Sequence, residues 1–84
     1  MVKLLFFARL REDLGTAAEE VALPEGVATV ASLRAHLMAR GGAWASVLAD
    51  GKALRVAVNQ DMADPATPVK AGDEVAFFPP VTGG

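Results

Sequence analysis

The sequence ends Phe77-Phe78-Pro79-Pro80-Val81-Thr82-Gly83-Gly84, and the group there with the most chemistry to offer is the carboxylate of Gly84. A carboxylate is a poor electrophile because its charge is spread over two oxygens. Moving anything onto its carbon requires one oxygen to become a leaving group, as adenylation by ATP achieves. Glycine suits such a carbon, because Gly83 and Gly84 permit close backbone approach and conformations that other residues resist. Pro79 and Pro80 fix their own φ and restrict the residue before each, so the exit from the domain is stiff where the tip is slim. A bare tip on a stiff stalk, with Val81 and Thr82 between them, is the form expected of a tethered acyl group passed into a narrow channel.

Other constellations are weaker. His36 is the single histidine; no second ligand stands at metal-binding spacing, so it is expected on a helix flank and no metal site is predicted. Asp50 with Asp61, and Asp73 with Glu74, pair carboxylates, but "DG" and "GDE" are turn chemistry first. Gly41-Gly42 lacks the strand-to-helix context of a phosphate loop, so nucleotide binding by this chain is not predicted. Trp44 is expected in the core.

Composition narrows the class. The chain has 84 residues, a formal charge of −2 and no cysteine. That length suits one domain with one core. The charge offers no counter-ion term to attract phosphates, and the basic residues are scattered, so nucleic acid is not an expected partner. Without cysteine there are no disulfides, thiolate metal sites or thiol nucleophiles. The apolar run from Leu4 to Ala8 is too short for a signal-peptide core, and none approaches the roughly 20 residues of a membrane helix, so the expectation is a cytoplasmic protein with no membrane contact.

Periodicity supplies the elements that would position the tail. Val2, Leu4, Phe6, Ala8 and Leu10 alternate as the inward face of a strand. "REDLGTA" is then expected as a turn and "EEVAL" as a second strand, with Val21 and Leu23 inward, closing a hairpin before "PEG". Thr29 is an expected N-cap for a helix carrying Val30, Leu33, Leu37 and Met38, with Gly41 as its C′ residue. Trp44, Val47 and Leu48 continue the core through an irregular or briefly helical link. "ALRVAVNQD" predicts a strand with Leu54, Val56 and Val58 inward and a turn at Asn59-Gln60, a short edge strand around Met62 or Val69 follows, and "EVAFF" closes with Val75 and Phe77 inward. One sheet packed on one helix satisfies every amphipathic face, an α+β two-layer fold.

"LFFARLRE" with Gly15 after it, "VAVNQ", "GDEVAFFPP" and "VTGG" stand in that order across the whole chain. In that set the sequence resembles the ubiquitin-like β-grasp sulfur carriers, most closely the small-subunit type of molybdopterin synthase. The resemblance implies a mixed sheet of four to five strands packed on one main helix, with residues 1–80 as the domain and 81–84 as a flexible Gly-Gly tail. It implies that Gly84 is adenylated by an enzyme of the ubiquitin-activating type using ATP and Mg²⁺, then thiocarboxylated through a sulfur donor protein. The tail would enter the large subunit of a heterotetramer, where the sulfur passes to cyclic pyranopterin monophosphate to build molybdopterin for the molybdenum cofactor. The chain itself would hold no cofactor and donate sulfur without being the catalytic pocket. The lack of cysteine suits a carrier whose activated carboxyl group must not be attacked from within.

Alternation also places Leu5, Phe7, Ala57, Ala76 and Phe78 on the outer face of the sheet, with Lys3, Arg9, Arg11 and Arg55 at its flanks. An outer face this apolar is expected at a protein interface. Leu5, Phe7, Phe78, Pro79 and Pro80 are the predicted contacts, with Arg9 and Arg11 meeting acidic groups of the activating enzyme or large subunit. Two alternatives stand beside this reading. One is sulfur delivery to thiamine, cysteine or transfer-RNA modification, which "LFFARLRE" and "FFPPVTGG" make less favoured. The other is a ubiquitin-like modifier conjugated to lysines.

Overall fold

The computed structural model describes residues 1–49 and 54–79. Asp50 and the "DG" turn it opens, and Pro80, Val81, Thr82, Gly83 and Gly84 with the proposed domain boundary, lie outside the described residues. Strands β1 (Val2–Phe6), β2 (Ala18–Val21), β3 (Arg55–Val58), β4 (Asp61–Ala63) and β5 (Glu74–Phe78) form one sheet in the order β2-β1-β5-β3-β4. The central pair, β1 and β5, is parallel and the other pairings are antiparallel. Helices α1 (Arg9–Leu14), α2 (Val30–Met38) and α3 (Gly42–Val47) complete the fold.

The inward faces follow the alternation. Val2, Leu4 and Phe6 of β1, Val56 of β3, and Val75 and Phe77 of β5 are buried against Val30, Leu33 and Leu37 of α2 and against Leu48. Phe6 stacks on Phe77 with centroids 5.7 Å apart and meets Trp44 edge-on at 5.4 Å. Helix α2 starts where Thr29 predicts: the Thr29 hydroxyl accepts from the Ser32 N–H at 3.2 Å, and Ser32 Oγ accepts from the Thr29 N–H at 2.9 Å. Two otherwise orphaned donors at the helix N-terminus are thereby satisfied, with Ser32 taking the place that Glu or Gln usually holds.

The opening strand is shorter than its alternation predicts. It ends at Phe6; Ala8 is exposed with φ 52°, and Arg9–Leu14 is a helix rather than strand and turn. Leu10 is buried as expected, but it reaches the core from the helix, with Leu14 four residues on against the same core. That four-residue spacing among good helix formers is the helical signal, and Ala8 and Leu10 masked it by continuing a period of two. Gly15, at φ 73°, ends α1 by donating its N–H to the Arg11 carbonyl at 3.0 Å, a conformation that favours glycine.

Three boundaries also shift. Helix α2 stops at Met38 with Ala39 as its cap, and Gly41 is the N-cap of α3, so the expected link is helical. Strand β2 ends at Val21, leaving Leu23 beyond it but packed on the core. Of the two positions expected for an edge strand, Met62 lies in β4, whereas Val69 is a buried loop residue whose N–H donates to the Ala28 carbonyl at 2.8 Å.

Candidate docking face

Register places the outward residues of the sheet in rows. Glu20, Lys3 and Glu74 form a charged row across β2, β1 and β5. The next row crosses all five strands and is apolar throughout: Ala18, Leu5, Ala76, Ala57 and Met62. Beyond it Phe78 lies opposite Arg55. Phe7 adjoins it, its N–H donating to the Phe77 carbonyl at 3.2 Å. The Phe7 and Phe78 rings stack at 4.8 Å, within 5° of parallel.

This face is built by the same alternation that builds the core, since each inward Leu4, Phe6, Val75 and Phe77 forces its neighbours outward. Ala57 and Ala76 are small enough to be covered by their surroundings, while Phe7 is 41% exposed and Met62 63% exposed. Leu5 and Phe78 are half-buried. The result is a shallow apolar strip that ends at the exposed thioether of Met62 on β4, with the aromatic pair standing beside its middle on the central strands β1 and β5. Offset rings, an unbranched thioether and peripheral charge are what a protein partner buries well.

Leu5, Phe7 and Phe78 are thus together, and Pro79, half-buried, continues directly from them. Pro79 lines a cleft with Arg9, Leu10, Asp13, Ser46, Val47 and Leu54, and so sits between the aromatic pair and the α1–α3 side. The two arginines are not together. Residues two apart on a helix do not face one another, so α1 turns Arg9 and Arg11 to opposite sides. Arg9 pairs loosely with Asp13 at 3.4 Å with 77% of its side chain exposed, and Arg11 is exposed. Met62 was not among the predicted contacts; counting two residues for the Asn59-Gln60 turn sets it opposite Ala57, and so on this face.

The far end of the sheet is held by polar contacts. Asn59 and Gln60 turn β3 into β4 with φ 51° and 72°, the pair of positive values that a two-residue hairpin turn requires. Asn59 Nδ2 donates to Asp73 Oδ1 at 3.0 Å, and its Oδ1 accepts from the Glu74 N–H at 3.0 Å. Asp73 Oδ2 accepts from the Lys70 N–H at 2.9 Å. That backbone donor first, and the Asn59 amide second, hold the Asp73 carboxyl below its ordinary pKa. Asp73 therefore serves a turn, as "GDE" suggests, while Glu74 opens β5 and lends only its backbone to the contact. His36 is half-buried on α2, and among the described residues no three His, Asp or Glu side chains converge as a metal site. No described helix is long and apolar enough to cross a membrane.

A mixed five-stranded sheet with a central parallel pair, crossed by one main helix and open on its apolar outer face, is a ubiquitin-like β-grasp domain. The chain belongs to the ThiS family, whose model matches residues 4–84. It is 54% identical over 84 residues, the full length of both chains, to the molybdopterin synthase sulfur carrier subunit of Escherichia coli (strain K12). Among solved structures it is similar to the Haloferax volcanii small archaeal modifier protein 1, with 32% identity, a TM-score of 0.78, and 95% of this chain and 97% of that one covered. It is also similar to a chain in the complex of subunits 1 and 2 of the molybdopterin-converting factor of Helicobacter pylori 26695, with 25% identity, a TM-score of 0.66, and 99% and 97% covered.

Proposed function

We propose that this chain is the sulfur-carrier subunit of a molybdopterin synthase. The observation that carries the reading is the end-to-end identity with the Escherichia coli carrier subunit. The apolar outer face, with Pro79 beside it, agrees with that role. The Gly84 carboxylate attacks the α-phosphorus of ATP on an activating enzyme, releasing pyrophosphate and forming an acyl adenylate. A hydrosulfide equivalent from a sulfur donor then adds to the acyl carbon, and AMP leaves with the displaced oxygen. The thiocarboxylate is carried into the large subunit, within a heterotetramer, and its sulfur is transferred to cyclic pyranopterin monophosphate. ATP and Mg²⁺ belong to the activating enzyme, and this chain supplies the acyl carbon and the surface by which it is gripped.

The face supports this partner. Leu5, Phe7, Phe78 and Met62 dock on the large subunit, as the two-subunit Helicobacter pylori assembly supports by analogy. Pro79 and Pro80 direct Val81 to Gly84 into the catalytic pocket, and Arg9 and Arg11, on separate sides of α1, make separate polar contacts. Intact mass after incubation with ATP, an activating enzyme and sulfide tests the reading: exchange of one oxygen for sulfur adds about 16 Da by atomic mass. An unchanged mass, with the activating enzyme proven active on another carrier, overturns it. Likeness to a small archaeal modifier protein favours conjugation to lysines as the second reading; lysine-linked adducts of this chain in cell extracts would support it.

A further inference from the structure

We propose that Met62 is a peroxide-oxidation site of the free carrier, and that its sulfoxide closes the docking face to the large subunit. The inference rests on the docking reading above and adds a regulatory chemistry to it. Two observations carry it. Met62 is 63% exposed, which gives a dissolved oxidant access to the thioether. Its register opposite Ala57 also sets it at the end of the apolar row formed by Ala57, Ala76, Leu5 and Ala18. The other methionines serve as internal controls: Met1 is equally exposed but precedes β1 at the opposite end of that strand from Phe7, and Met38 is half-buried against the core.

In the step itself the sulfur lone pair attacks one oxygen of hydrogen peroxide, the O–O bond breaks, and the departing hydroxide takes the proton to leave as water. Sulfur loses two electrons and the peroxide gains them. A thiol-dependent sulfoxide reductase reverses the change. The product replaces a polarizable apolar group with a strong acceptor. Buried against an apolar partner surface without a donor, that oxygen lowers affinity by roughly five- to a hundredfold. Once the large subunit covers Met62 the oxidant is excluded, so the device reads peroxide only while the carrier is free.

The test measures binding of the full-length carrier to its purified large subunit before and after hydrogen peroxide, with peptide mapping to locate the added oxygen, because sulfoxidation and oxygen-for-sulfur exchange both add about 16 Da. Met62 and Met1 should oxidise well before Met38, Met62 should be protected in the complex, and affinity should fall at least fivefold. In Met62→Leu, whatever its starting affinity, peroxide should cause no further loss, and a sulfoxide reductase should restore the wild type. If untreated carrier fails to bind, the docking reading falls and takes this proposal with it. If it binds and oxidised Met62 changes nothing, or if Met62→Leu loses affinity equally on treatment, the proposal alone is overturned.

Discussion

Phe6 and Phe7 are chain neighbours on opposite faces of the sheet, and truncating each to alanine separates folding from docking. Phe6 is 2% exposed and wedged between Phe77 and Trp44. Phe6→Ala removes a fully buried ring and leaves a cavity, which costs about 3–5 kcal/mol. A domain of 84 residues has a total stability of about 4–13 kcal/mol. The variant therefore melts more than about 15 °C lower or fails to fold. Phe7 is 41% exposed, and its site opens to solvent, so no cavity forms. Loss of its stack on Phe78 and of its covered part costs about 1–2 kcal/mol. On the proposed docking, partner binding reverses the order. An aromatic anchor at the centre of an interface costs more than about 2 kcal/mol when truncated, or about thirtyfold in Kd. Thermal melting followed by Trp44 fluorescence, with calorimetric titration into the large subunit, measures both effects. The reasoning is refuted if Phe7→Ala binds within about threefold of wild type, or melts as low as Phe6→Ala.

Two further outcomes follow from the polar contacts. The folded pKa of Asp73 is depressed, so its contribution is present above the unfolded value of about 3.9 and is lost as pH falls through the folded value. The melting-temperature gap between wild type and Asp73→Asn should therefore be widest near neutral pH and narrow below about pH 4; a gap independent of pH would show that charge is not what Asp73 contributes. Thr29→Ala removes the acceptor of the Ser32 N–H and should cost about 1 kcal/mol by denaturant titration, with the midpoint moving and the slope unchanged.

Legibility differed by element, for physical reasons. The strands β3 and β5, the start of α2 and the Asn59-Gln60 turn were readable because each has a local cause: alternation, a capping hydroxyl, residues suited to positive φ. Helix α1 was not, because Leu10 satisfies both a period of two from β1 and a period of four to Leu14, and the first hid the second. The outer face rests on alternation, which survives an error in boundaries. Arg9 and Arg11 were expected at the flanks of that face; helix α1 sets them on opposite sides of itself, because residues two apart on a helix do not face one another. Met62 escaped because its place depends on register across a turn, and register is a long-range property.

The two quoted motifs "VAVNQ" and "GDEVAFFPP" meet at the end of the sheet remote from the stalk, where Asn59 is tied to Asp73 and Glu74. Their polar residues thus do architecture and not chemistry. That architecture matters to function all the same, because β5 is pinned at its start by this clasp and on both flanks by β1 and β3. The chain therefore leaves the sheet at Phe78 from a strand that has no freedom to slide. On the proposed reading the reactive carbon is that of Gly84, five residues beyond Pro79, and fully extended those residues span at most roughly 18 Å. A partner that seats Phe7 and Phe78 has in the same act fixed a sphere of that radius within which the acyl carbon must lie. If the carrier reading holds, that partner's reactive pocket opens inside the sphere, and gripping the body and delivering the terminal group become a single geometric event.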